Sequence, residues 1–227
     1  MERSRHFGLV GGLGIGATVL YYQGIAAGCG DRSIVPRLTI ANAHAPQALA
    51  LVQAGRIEEL ATYLADFVAE LAASGASFFA IPAITPHICL TDLKRRAKLP
   101  IIDILQVTAE RLRDRQLSRV ALFGTKFTID RKLFGAVDAF DVVDPKRDEV
   151  EEIHRIYLGL ATQGRISPSD EAKLRDLAQT LCRRDRIEAI VLAGTDLNLV
   201  FNEANAGFPA VDCAAAHIDA IVAQMSR

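Results

Sequence analysis

Short apolar runs that do not alternate with polar residues, set between longer amphipathic stretches, constrain this chain more than any other feature. Such runs predict strands at 7–10, 36–41, 77–82, 99–104, 118–123, 139–143, 187–193 and 209–211, rich in Val, Ile, Phe and Leu, several ending at Gly, Pro or Asp. Between them the spacing is helical. In 56–74, Ile57, Leu60, Leu64, Phe67, Val68 and Leu71 recur three and four residues apart and make one apolar stripe, which Gly75 stops as a C-terminal cap. Strands buried on both faces and alternating with helices predict an α/β fold of parallel sheets flanked by helices. Ligands in such folds bind beyond the carboxyl ends of the strands, so the residues just after each apolar run are the ones to inspect.

A short internal repeat divides the chain. FGLVGG (7–12) resembles VALFGT (120–125), and FFAIPAIT (78–85) resembles EAIVLAGT (188–195), at offsets of 113 and 110 residues. Two matches in order predict two similar lobes: 1–100 joined by 209–227, and 101–208, with the last helix at 213–225. The 227 residues are half hydrophobic and carry a net charge of −1, with no basic block or polybasic patch, which argues against nucleic acid and membrane surfaces as partners. Cys29, Cys89, Cys182 and Cys213 form no CxxC pair, so neither a zinc site of that kind nor a disulfide framework is expected, and the setting reads as reducing and cytoplasmic. The opening MERSRH is basic and FGLVGGLGIGATVL is apolar, the outline of a leader peptide. Its five glycines, however, fit a strand, a turn and a helix start.

Five strand ends carry the chemistry-bearing residues. The glycine-rich turn of GLVGGLGIGAT suits a carboxylate or phosphate at a helix N-terminus. Gly12, Gly14 and Ala17 also fit a dinucleotide fingerprint, but no acidic residue ends the next strand, where Ala41 and Asn42 stand. In LFGTKFTID, Thr125 and Thr128 are either helix caps or hydroxyl donors to a carboxylate. In IPAITPH and VLAGTDL, Thr85 and Thr195 hold matching places, with Pro86 suited to a first helical turn and Asp196 to a helix start; His87 is either a surface residue or a base. In VDCAAAHIDA, Asp212 is a candidate N-cap and His217 lies one turn on. Cys213 at the helix start is either a reactive thiol or a small core residue.

Together these stretches resemble the aspartate/glutamate racemase superfamily over nearly the whole chain. GLVGGLGIGATVLYYQGI is similar to that family's GGxGxxAT opening, LFGTKFT to its GT-x-[YF]-T turn, and VDCAAAHIDA to its closing D-T-x-x-H-A segment. The resemblance implies two α/β lobes with a ligand cleft between them, no cofactor, no metal and a homodimer. It implies acid–base inversion of an amino acid's α-carbon by one base from each lobe, usually two cysteines. Aligning PAITPH with P-C-N-T-x-H and AGTDL with G-C-T-E places Ala83 and Gly194 at the two base positions. Neither side chain can take a proton. The region expected to supply a basic residue reads ANAHAPQ, with Asn42 and His44.

Three readings follow. In the first, the chain is a racemase-like isomerase of a small acidic amino acid; Gly12, Asn42, Thr85, Thr125 and Thr195 bind the substrate, and Asp196 or His87 substitutes for the thiols, with His44, Cys89 and Cys213 as further candidates. In the second, it is a non-catalytic binder of a small carboxylic acid, or an enzyme of altered reaction on the same fold. The third, a NAD-dependent oxidoreductase, rests on the glycine turn alone.

Overall fold

The computed structural model describes residues 3–227; Met1 and Glu2, which open the basic stretch, lie outside the described residues. The chain divides into two compact units, one holding the residues up to Ile104 together with His217–Arg227, the other Leu105–Ala216.

In the first unit the apolar run at 7–10 is the inner part of β1 (Arg3–Gly11), the middle strand of a three-stranded parallel sheet between β2 (Val35–Asn42) and β3 (Phe78–Ala80). Phe7, Leu9 and Val10 are wholly buried, as a central strand covered on both faces must be. The leader-like run thus folds as a strand end, a glycine turn and the start of α1 (Ile15–Asp31). The short α2 (Ala45–Gln53) leads into α3 (Ile57–Ala73), where the expected stripe buries Leu60, Leu64, Val68 and Leu71. Each such side chain contributes about 1.5–3 kcal/mol relative to exposure. Gly75, at φ +90°, ends α3: its N–H donates to Ala72 O and that of Ala76 to Leu71 O, both at 3.0 Å. This is the paired closure that a left-handed residue after a helix permits.

Beyond β3 the chain makes a 3-10 turn, Thr85–Cys89, and then α4 (Leu90–Arg96). The strand expected at 99–104 is reduced to a single parallel bridge between Phe79 and Ile101, made by Phe79 N–H to Pro100 O at 3.0 Å and Ile102 N–H to Phe79 O at 2.8 Å. Pro100 has no N–H for a longer ladder, and Ile104 already opens α5 (Ile104–Asp114).

The second unit repeats the plan. β4 (Arg119–Gly124) lies between β5 (Asp141–Val142) and β6 (Ala189–Ala193), with β7 (Ala210–Asp212) outside β6, all parallel. The repeat seen in sequence is therefore structural. β1 and β4 are inner strands, β3 and β6 their neighbours, and Ile190 N–H meets Pro209 O at 2.9 Å as Phe79 N–H meets Pro100 O. Two expectations are corrected. The strand at 139–143 shrinks to two residues, because Phe140 N–H is taken by Val137 O in a turn at 3.0 Å. The strand at 209–211, expected to travel with the first lobe, is hydrogen-bonded to β6 and belongs to the second sheet. Helices α6 (Lys126–Asp130), α7 (Arg147–Gln163), α8 (Pro168–Arg184) and α9 (Cys213–Met225) complete the chain. Among the described residues no helix is long and apolar enough to cross a membrane.

Candidate functional site

The first sheet gathers Gly12, Asn42 and the Ala83–His87 segment at its carboxyl end, because β1, β2 and β3 run parallel and Gly11 pairs with Asn42. Gly12 has φ +79°, a left-handed conformation glycine adopts without steric penalty. A Cβ there would lie 2.7 Å from the Asn42 amide and closer still to the Ala43 carbonyl oxygen. Its N–H donates to Thr18 Oγ1 at 3.0 Å, and the Thr18 hydroxyl donates to Gly14 O at 2.8 Å. The turn thus satisfies its own donor, where the sequence suggested an N–H open to an anion. Asn42 and His44 are exposed; the Asn42 amide donates to Ala43 O at 3.2 Å, and the His44 N–H donates to the Tyr63 hydroxyl at 2.8 Å.

Ala83 is buried and Thr85 half-buried. His87 is buried rather than on the surface, 3% exposed, and its Nδ1–H donates to Ala83 O at 2.8 Å. A carbonyl only accepts, so the neutral ring keeps its lone pair on Nε2. That atom is buried and has no hydrogen-bond partner among the described residues. Burial pushes the His87 imidazole below its ordinary value, against the pull of the Asp103 carboxylate, so the ring is held neutral. Cys89 donates its thiol to Pro86 O at 3.2 Å, and burial drives its pKa up to about 12. His217 receives the Tyr21 hydroxyl on Nδ1 and donates from Nε2 to Ile102 O, each at 2.9 Å. Burial lowers its pKa to about 3, which leaves a neutral tie between α1, α9 and the backbone after the Ile101 bridge.

In the second sheet Gly124 pairs with Ala193, so Thr125 and Gly194 leave adjacent strands side by side. Thr125 caps α6, its Oγ1 accepting from Thr128 N–H at 3.1 Å. Asp212 caps α9, accepting from Ala215 N–H at 3.0 Å and from the Asn198 amide. Cys213 follows it, wholly buried; the helix N-terminus that would favour a thiolate is outweighed by desolvation, which pushes the thiol up to about 12. Thr195 and Asp196 are buried at the start of the 3-10 turn Thr195–Leu199.

Two residues on α7, which inspection of strand ends does not reach, enter this region. His154 Nδ1 accepts from Lys126 N–H at 3.1 Å, behind β4. Tyr157 donates its hydroxyl to Asp196 Oδ2 at 3.3 Å, just past the end of β6. In the sequence Tyr157 falls on the apolar stripe of Val150, Ile153, Ile156 and Leu160, where nothing separates it from ordinary core. Among the described residues no group of three or more His, Cys, Asp or Glu is arranged to hold a metal ion.

The profile of the Asp/Glu/hydantoin racemase family matches residues 10–221, and the chain belongs to that family. It is 23% identical over 164 residues to the broad specificity amino-acid racemase RacX of Bacillus subtilis (strain 168), covering 70% of this chain and 69% of RacX. In structure it is similar to a putative Asp/Glu racemase from Yersinia pestis, with TM-score 0.84 and 20% identity over 98% of this chain and 100% of that one. An aspartate racemase homologue from Pyrococcus horikoshii OT3 gives TM-score 0.81 and 23% identity over 98% and 100%. A glutamate racemase from Francisella tularensis subsp. tularensis SCHU S4, in complex with D-glutamate, gives 0.64 and 12% over 97% and 80%.

Proposed function

We propose that this chain is an amino-acid racemase-like isomerase acting on a small acidic amino acid by cofactor-independent proton transfer at the α-carbon, through groups other than residues 83 and 194. One observation carries the reading. Beside each of the two positions without a proton-transferring side chain stands a buried titratable group: His87, with an unpartnered Nε2, four residues after Ala83, and Asp196, held by Tyr157, two residues after Gly194. The other candidates are weaker, since the Cys89 and Cys213 thiols are pushed up to about 12 and His44 is exposed to solvent. Membership of the racemase family supports an amino acid as substrate, and D-glutamate in the similar glutamate racemase supports an acidic one. We assign its binding to Asn42, Thr85, Thr125 and Thr195, and to Gly12 for the bare turn it provides rather than for its N–H, which Thr18 holds.

The test is incubation of purified protein with aspartate, glutamate and other amino acids in deuterated water. Deuterium at Cα is the expected result, lowered about a hundred- to ten-thousand-fold in His87→Asn or Asp196→Asn if either group moves the proton. A second reading, a non-catalytic binder of a small dicarboxylate, is favoured by the Tyr157 ring standing in the volume next to Gly194. Measurable dicarboxylate binding without exchange on any amino acid decides for it. The homodimer implied by the family resemblance is checked by sedimentation.

A further inference from the structure

Tyr157 lies on the buried face of α7, and burial alone would make it core. Its surroundings are more specific than that. Its hydroxyl donates to Asp196 Oδ2 at 3.3 Å, and its oxygen interacts with the Thr195 hydroxyl and the Asp196 backbone N–H. A Cβ on Gly194 would lie 2.7 Å from Tyr157 Cζ and 2.9 Å from Cδ2, and closer still to Cε2. Gly194 has φ −148° and ψ 115°, extended backbone that any residue adopts. Glycine is therefore required here by the ring and not by the backbone. Three consecutive residues fit one phenol: Gly194 by lacking a side chain, Thr195 by its hydroxyl, and Asp196 by its carboxylate and N–H. A buried core tyrosine needs one partner for its hydroxyl; here that partner is a buried carboxylate.

We propose that Tyr157 is the positioning residue of a Tyr157–Asp196 pair in which Asp196 is the proton-transfer group at the carboxyl end of β6, Gly194 being bare to admit the phenol. The inference deepens the proton-transfer reading and rests on it. A hydrogen bond donated to a carboxylate favours its ionised, proton-accepting form and fixes its orientation. In the step, the Cα–H bond of the substrate breaks, its proton passes to the Asp196 carboxylate, and the electron pair stays on the α-carbon. Reversal of the step returns a proton from the Asp196 carboxyl group to that carbon. Tyr157 keeps its own proton throughout: burial first, and the Asp196 carboxylate second, push the phenol well above its ordinary value.

Tyr157→Phe keeps the ring and removes the hydroxyl. In the full chain, the carbon-13 signal of the Asp196 carboxyl group, identified by its loss in Asp196→Asn, is titrated in wild type and variant. Cα deuterium exchange on aspartate and glutamate is followed over the same pH range. Losing a hydrogen bond to a charged group should raise the Asp196 midpoint by about one to two pH units. The acidic limb of the exchange profile should move up with it, while dicarboxylate binding is retained. A tyrosine that only filled space beside Asp196 would move neither midpoint nor limb, and one that bonded it without serving proton transfer would move the midpoint alone. An unshifted Asp196 midpoint overturns the positioning role, whatever the activity. A wild type that exchanges no amino acid overturns the proton-transfer reading and the pair's catalytic role with it, even where the midpoint shifts.

Discussion

A methyl group at position 194 has no room while the Tyr157 ring stays in place, since its carbon would lie 2.7 Å from Cζ and 2.9 Å from Cδ2. The ring cannot swing away cheaply, because it is buried and its hydroxyl is tied to Asp196. Gly194→Ala should therefore cost about 1–3 kcal/mol by overpacking, measured as a fall in the urea midpoint. In a Tyr157→Leu background the same substitution should cost less. A double-mutant cycle should return a coupling within the range of about 0.5–3 kcal/mol typical of touching residues, and additive costs would show that the two positions do not share this volume. The bareness of Ala83 and Gly194 could be read from the sequence. Their surroundings could not: the carbonyl of Ala83 orients His87, and the space at Gly194 holds a ring from 37 residues earlier in the chain.

At the scale of elements, α3 was legible because its buried positions, Leu60, Leu64, Val68 and Leu71, follow the helical period without interruption, and because Gly75 closes it. Leu64→Ala should cost about 2–5 kcal/mol, whereas Thr62→Ala, on the exposed side of the same helix, should stay within about 0.5 kcal/mol; equal effects would mean the stripe does not carry the packing. Thr125→Ala should cost about 1 kcal/mol through the lost cap of α6, with Thr125→Ser close to wild type. The elements that were misjudged are those whose fate depends on partners. Residues 99–104 are as apolar as other strands, but Pro100 cannot extend the ladder and the chain turns into α5. β7 joins the second sheet because Ile190 pairs with Ala210, a choice between sheets that a run of three residues does not encode.

For the whole molecule, burial of His87 and His217 makes stability depend on acid. Both rings are held below the ordinary histidine value by desolvation, His217 to about 3, while in the unfolded chain each takes a proton near 6.5. Below that pH the unfolded state binds more protons than the native state. Stability is therefore lost as pH falls, by up to about 1.4 kcal/mol per pH unit for each ring, and for His217 the loss continues down to its folded value near 3. Asp212 opposes this, since burial raises its carboxyl and favours the native state in acid, but it acts at lower pH, nearer the carboxylate range. Urea midpoints between about pH 7 and pH 5 should fall steadily, and His217→Gln should remove roughly half of the slope; a flat profile would mean that neither ring is kept neutral by burial.

The alternation of runs, the internal repeat and the helical stripe were enough to determine two parallel α/β units, because period and burial on both faces are local properties of a chain. The strand ends carrying Gly12, Asn42, Thr85, Thr125, Thr195 and Asp196 followed from the same pattern, since parallel strands end on one side of their sheet. Only the tertiary structure decided what those ends touch. It tied the Gly12 N–H to Thr18, turned His87 inward onto Ala83, drove the Cys89 and Cys213 thiols up by burial, and set Tyr157 beside Gly194 and Asp196. Those outcomes depend on which distant side chain fills a given volume and on how much water it displaces, and neither is a property of any short stretch of sequence.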